Sequence, residues 1–294
     1  MISVKKGIRA EEVRQQSQHV LFVEGRDTNS VDPKVLNELF ENGVRIEPLG
    51  PSYFVKSVAE ALYPHHPTYY FLIDRDHHPD EFVEGCWGNF PDPGTHNLLV
   101  WRKREIENYF LDPEYLSQSK YCQVSLDELK RHIVKFASER LYLDVANHVV
   151  TSVREYLKRK WIEKFNNPSE FPDKSSALQK LKSESAFADH HARVGHAVSD
   201  SEIERRFGDY LSTMTGDNEP LIFGSGCWLH MTHGKKVLAQ VINSGCFRVQ
   251  ATNGALLSGR EKLGQVVRDL LQKDISIQPA DFQQLKQLIQ SRAT

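Results

Sequence analysis

Cysteine is scarce in this chain. Four occur in 294 residues, Cys86, Cys122, Cys227 and Cys246, and no two form a CxxC pair. A zinc ribbon and a disulfide framework are therefore excluded as organising devices, and reduced thiols in a cytoplasmic protein are expected. No apolar run approaches the length that spans a bilayer. The first residues, with Lys5, Lys6, Arg9, Glu11 and Glu12, lack the apolar core of a signal peptide. The expectation is a soluble protein with no membrane partner. An excess of charge is also missing, the net value being −2. That excludes little, because local fields rather than totals guide a polyanion to its site. Nor is there a repeat, a low-complexity tract or a P-loop. Before Gly234-Lys235 the first P-loop glycine is replaced by Leu229, and no Ser or Thr follows Lys235. The sequence shows no ATPase of its own.

What is present is a globular composition, 39% hydrophobic before its 17 glycines are counted. The first third alternates strand and helix signals. His19 to Val23, Val44 to Pro48, Tyr69 to Ile73 and Asn97 to Trp101 read as strands. Helices are expected after Asp32-Pro33, an N-cap with proline at the first helical position, and after Ser52. The expectation is an α/β fold, a parallel sheet flanked by helices. Near-continuous apolar runs such as Val20 to Val23 suit strands covered on both faces. Pro79 to His96, rich in glycine and proline, reads as a loop. Beyond about Asp112 the pattern becomes mainly helical. Helices are expected near 125–137, 143–165, 174–187, 199–213, 237–243, 258–273 and 279–291, with strand hints only at 221–223 and 246–249.

Three of the strand candidates run into acidic motifs: Val23-Glu24-Gly25, Ile73-Asp74-Arg75-Asp76, and Arg104-Glu105-Ile106-Glu107-Asn108-Tyr109. Open α/β sheets place their chemistry beyond the carboxyl ends of the strands. Carboxylates gathered there without basic partners are costly unless a hard cation neutralises them. Positions two apart on a strand share a face, so Asp74 and Asp76 are expected to aim at one point. Glu24 reaches it from an adjacent strand, and Glu107 from the side. Gly25 lets the backbone turn sharply behind Glu24. Such a set can hold one or two Mg²⁺ or Mn²⁺ ions for phosphodiester hydrolysis. Singly, each motif is more simply a helix cap or a solvated loop end; their joint occurrence favours a shared metal site.

This layout resembles the TOPRIM domain of topoisomerases, primases and OLD-family nucleases, which carries a glutamate after its first strand and a DxD after its third. Glu24, Asp74 and Asp76 match. The Arg104–Tyr109 run is similar to that of a bacterial subgroup, the TOPRIM effectors of PARIS anti-phage systems, which work beside an ABC-type ATPase. The resemblance implies a metal-dependent endonuclease, a tRNA-cleaving toxin released from its ATPase partner, with a homodimer as one active form. It also implies a lysine from a C-terminal Gly-Lys element returning to the metal site, which Lys235 fits; the plain alternative for Lys235 is a solvated helix start. A DNA nickase and a non-catalytic partner-binding module are the competing readings. The family often has an acidic residue four positions after its first glutamate. Here that position is Thr28, and Asp27 is the nearest substitute.

The resemblance covers roughly residues 1–118. The resemblance implies a division into a TOPRIM-like catalytic domain, 1–118, and a mainly helical region, 119–294, of which 221–250 is the part expected to pack back. Arg102 and Arg104 (with Lys103 between them) are candidates for holding a nucleic-acid backbone. Arg154, Lys158 and Arg159, interleaved with Tyr156 and Trp161, form a strip that is either a solvated face or a phosphate-binding surface.

Overall fold

Four parallel strands form the sheet of the computed structural model, lying side by side with the second in the chain first, then the first, the third and the fourth. It describes residues 19–293 except 29, 42, 77, 93, 95 and 159–166. The strands are β1 (Val20–Glu24), β2 (Arg45–Gly50), β3 (Tyr69–Ile73) and β4 (Leu98–Val100). Helices α1 (Val31–Phe40), α2 (Ser52–Leu62) and α3 (Asp80–Gly88) make the crossovers. The α/β expectation is met. Val20 to Val23 and all of β3 are buried, as strands covered on both faces must be.

The strand order decides where a site can form. From β1 the chain crosses to β2 on one side; from β3 it crosses to β4 on the other. The direction of winding reverses between β1 and β3, opening a crevice beyond their carboxyl ends. Glu24 is the last residue of β1, and Asp74 is the first after β3. Behind Glu24, Gly25 has φ 144 and bonds its N–H to Gly50 O at 3.1 Å. A Cβ there would stand 3.1 Å from Ser30 Cβ, so both the backbone angle and the close approach call for glycine.

Contacts divide the described residues into two units, one running through Glu139 and resuming at Trp228, the other Arg140–Cys227. The division falls at 139/140 and 227/228 rather than at 118/119. In the first unit, β4 leads into a 3-10 helix (Ile106–Leu111), then α4 (Pro113–Leu116) and α5 (Leu126–Ser138). The returning chain adds α10 (Trp228–Met231), α11 (Gly234–Asn243), α12 (Gly259–Leu271) and α13 (Ala280–Ala293). α11 packs on the 3-10 helix, α5 and α12. From α13, Phe282 enters an aromatic cluster, 5.1 Å from Tyr109 and 5.8 Å from Trp101 between ring centroids. The second unit holds α6 (Leu141–Leu157), α7 (Lys174–Lys182), α8 (Ser185–Ala197) and α9 (Asp200–Thr215). There α6 and α9 are joined by the His148–Tyr210 ring stack and by Arg206 donating to Ser152 Oγ at 2.6 Å.

Several elements differ from expectation. The 79–96 loop contains α3, whose Val83, Cys86 and Trp87 bury one face; Trp87 Nε1 donates to Val100 O at 2.7 Å. Its glycines suggested a loop, but packing on β4 outweighs their cost. The single helix expected over 174–187 is two, because Glu184 accepts a bond from Ala186 N–H and starts α8 afresh. α6 ends at Leu157 with Lys158 as its cap, and residues 159–165 of the 143–165 prediction lie outside the described residues. Neither strand hint becomes a strand; Phe247 makes only an isolated bridge with Cys122. No helix among the described residues is long and apolar enough to cross a membrane.

Candidate functional site

Four carboxylates from four elements meet electrostatically at the crevice. Glu24 comes from the end of β1. Its Oε1 accepts the Asp74 backbone N–H at 2.9 Å, and the Ser52 N–H at the start of α2 is a second donor. Burial raises its pKa above the usual carboxylate range; the Asp76 charge pushes the same way, while the two N–H donors and Lys56 oppose it. Asp74 is driven well above its ordinary value, first by burial and then by the charges of Asp32, Glu24, Glu107 and Glu105. Its Oδ1 is buried with no hydrogen-bond partner. A buried polar atom of this kind needs a missing donor, a water or an ion. Glu107, buried in the first turn of the 3-10 helix, is pushed up to about 7 by burial and by Glu105, with Lys235 and His233 opposing.

The fourth carboxylate is Asp32, which the sequence alone predicts only as a helix cap. Helix α1 starts one residue earlier, at Val31, with Ser30 in the capping position. Asp32 therefore sits inside the first turn. There burial, followed by the charges of Glu107 and Glu24, lifts its carboxyl well above the usual range; Lys235 opposes. Its signal in the sequence was position: an acid eight residues beyond Glu24, on the helix leaving the same strand. Asp27 and Thr28 are both exposed.

Asp76 is placed differently from the other acids. Strand β3 ends at Ile73, so two-residue alternation does not extend to it. It is exposed, has φ 45, and acts on Glu24 through its charge.

The Arg104–Tyr109 motif is chiefly a clamp. Arg104 N–H donates to His230 O at 2.9 Å, and its guanidinium donates to Met231 O at 3.1 Å. Asn108 Nδ2 donates to Leu229 O and Thr232 O, at 3.0 and 2.9 Å. Asn108 Oδ1 accepts the Glu105 N–H at 3.1 Å. Glu105 in turn takes the Lys235 backbone N–H at 2.9 Å and pairs with His233 Nδ1, which holds its carboxyl below the usual range despite burial. Gly234 is fixed against this clamp: a Cβ would lie 2.3 Å from Asn108 Oδ1. The outcome is that Lys235, exposed in the first turn of α11, projects its charge onto Asp32 and Glu107.

The candidate backbone-binding residues differ in their surroundings. Arg102 is engaged inside the fold: it pairs with Glu84 at 2.7 Å and Asp281 at 2.8 Å, and lies over the Trp87 ring at 4.4 Å. Arg104 is spent on the clamp. Both guanidinium groups already have partners in the fold, Arg102 with Glu84 and Asp281 and Arg104 with Met231 O, so a phosphate would have to compete with those bonds. Arg154 is exposed on α6, Lys158 pairs with Glu155, and Arg159 lies outside the described residues. Tyr109 is buried, donates to Asp281 at 2.5 Å and accepts from the N–H groups of Arg102 and Lys103. That role is structural. The Gly224-Ser225-Gly226 stretch is a turn whose Ser225 Oγ donates to Thr215 O.

Among the described residues no group of three or more His, Cys, Asp or Glu stands placed to hold a metal ion. The fit to a divalent cation thus rests on donor chemistry, all hard carboxylate oxygen under mutual repulsion, and on the orphaned Asp74 Oδ1. No protein-family model, curated protein or solved structure matches this chain.

Proposed function

We propose that this chain is a divalent-metal-dependent nuclease whose site lies beyond β1 and β3. What supports the reading is that the charges of Glu24, Asp32, Asp74 and Glu107 act on one another beyond the strands where the sheet's winding reverses, and that one buried Asp74 oxygen has no hydrogen-bond partner. Their raised pKa values mean that the folded pocket disfavours its own charge, the condition that a bound cation relieves. Glu24, Asp32, Asp74 and Glu107, with Asp76 at the rim, would supply the oxygens for Mg²⁺ or Mn²⁺, the ion drawing together carboxylates that do not stand in coordinating positions without it. The ion, when bound, supplies charge neutralisation and a water acidic enough to act as nucleophile.

The chain's own groups do the rest. The Asp74 and Ser52 N–H groups fix the direction of the Glu24 carboxylate. Lys235 brings a positive charge to the acid side of the pocket, where it can balance charge on a phosphate under attack. The setting follows from the TOPRIM resemblance: a toxic anti-phage effector that cleaves tRNA and is restrained by an ATPase partner. Purified protein incubated with labelled tRNA and with supercoiled plasmid, in Mg²⁺, Mn²⁺ or EDTA, tests the reading. Metal-dependent cleavage lost in Asp74→Asn is expected. Nicked plasmid beside intact tRNA would move the substrate to DNA, and no cleavage of either would overturn the enzyme reading.

A further inference from the structure

A ridge of exposed rings and one lysine lies along α2 and α3, beginning beside the Ser52 N–H that donates to Glu24. Tyr53 and Phe54, on the first turn of α2, are 72% and 45% exposed. They follow directly on Ser52, whose N–H is a donor to Glu24. Lys56 lies three residues beyond Tyr53 on the same helix, the spacing that makes side chains neighbours. Its Nζ donates to His78 Nε2 at 2.7 Å, and His78 stacks on Phe82 at 5.0 Å between centroids. Phe82, on α3, is itself 39% exposed. The ridge therefore runs Tyr53, Lys56, His78, Phe82, from α2 to α3. Lys56 is near enough to the acids that its charge acts on Glu24.

Isolated exposed rings need no explanation. Here they flank a lysine whose charge acts on Glu24, and Tyr53 directly follows Ser52, a donor to the same carboxylate. Aromatic faces set beside a cation suit the bases and phosphates of an unpaired strand. A duplex keeps its base faces covered by their neighbours and presents mainly backbone. We propose that Tyr53, with Phe82 and His78, is a nucleobase-stacking subsite for single-stranded nucleic acid, and that Lys56 holds the adjoining phosphate. The inference rests on the nuclease reading only for what happens to the strand afterwards. Within that reading it names the substrate class: unpaired nucleotides, in a loop or a free strand, led to the acids by Tyr53.

The experiment measures binding of the full-length protein to a short fluorescent oligonucleotide, single-stranded or annealed to its complement, in EDTA so that no strand is cut. Tyr53→Ala should weaken single-strand binding about 10- to 100-fold and leave the weaker duplex binding unchanged. Tyr53→Phe should bind as wild type. Tyr53→Leu should not, because it keeps apolar area but lacks a stacking face. Lys56→Gln should lower the log–log salt slope for the single strand by about 0.7. Tyr53 is so exposed that its variants do not threaten the fold, and circular dichroism checks them and Lys56→Gln. Unchanged single-strand affinity in Tyr53→Ala overturns the subsite, as does rescue by Leu, which would mark a protein-docking surface instead. A wild type that cuts in Mg²⁺ while Tyr53→Ala binds normally defeats the subsite alone. A wild type that binds strands through Tyr53 yet cuts nothing in Mg²⁺ defeats the nuclease reading alone.

Discussion

At neutral pH the Glu107 carboxyl, pushed up to about 7, is close to half-protonated, whereas in the unfolded chain it would be ionised. Below the unfolded value both states hold the proton and the group is neutral to stability. As pH rises from about 4.5 to 7 the unfolded chain releases its proton while the folded chain keeps it, so stability falls across that window. Above it the loss from Glu107 is complete, on the order of 3 kcal/mol. Asp74, Asp32 and Glu24 shift in the same direction. Metal-free protein is therefore expected to melt higher at pH 5 than at pH 8, with Glu107→Gln flattening the dependence. Mg²⁺ should raise the melting temperature more at pH 8 than at pH 5, because cation and protons compete for the same oxygens. Thermal melts across pH, with and without Mg²⁺, measure all of this. Asp32→Asn supplies a separate check on the residue found through the structure. Its metal-free stability should hold or rise as repulsion is relieved, while Mg²⁺ affinity and cleavage fall at least tenfold. Wild-type Mg²⁺ binding by calorimetry in that variant would remove Asp32 from the site.

Among the elements, the 3-10 helix and α11 act as one device. Gly234→Ala would drive a methyl into Asn108, whose own backbone N stands 2.8 Å from that Cβ and cannot give way. A cost of about 1–3 kcal/mol is expected, together with a loss of cleavage as Lys235 is displaced; denaturant melts and rate measurements separate the two. Arg102 offers the contrasting test. Because its guanidinium ties α3 to α13 through Glu84 and Asp281, Arg102→Ala should destabilise the protein by roughly 1–3 kcal/mol. The salt dependence of oligonucleotide binding should stay unchanged. Arg154→Gln, on the exposed face of α6, should do the reverse if that helix carries a backbone-binding strip: stability within about 0.5 kcal/mol of wild type and a salt slope lower by about 0.7 to 0.9.

For the whole molecule, the core closes only when the C-terminal elements return. Val237, Leu238, Val241, Ile242, Val266, Leu270, Phe282, Leu285 and Ile289 are all fully buried, and they lie within the unit that contains the sheet. A fragment ending at residue 118 would expose their partners, Trp101, Tyr109 and Phe110 among them. It should lose near-ultraviolet circular dichroism and bind a hydrophobic dye; a cooperative melt from that fragment would show that the first 118 residues fold alone. In cells, the proposed effector role predicts growth arrest when the chain is expressed by itself or with an activated partner. Glu24→Ala should be harmless, and equal arrest from both forms would indicate toxicity without catalysis.

Strands β1 and β3 were legible in the sequence because doubly covered strands must be apolar throughout, a local property that composition displays directly. Glu24 and Asp74 were legible for a related reason: a carboxylate directly after such a run stands at the carboxyl end of the sheet, whatever follows. Asp32 was not, because an acid before Pro33 has a sufficient local explanation as a helix cap, and only the path of Gly25 and α1 turns it into the pocket. Arg102 and Arg104 have the same chemistry on paper as any surface arginine. Their partners, Asp281 and Met231, are more than a hundred residues away, and sequence patterning carries no information at that separation. The closure of the core by α12 and α13 was hidden for the same reason. Amphipathic helices announce that they will bury a face, but which surface receives it is decided by tertiary packing alone.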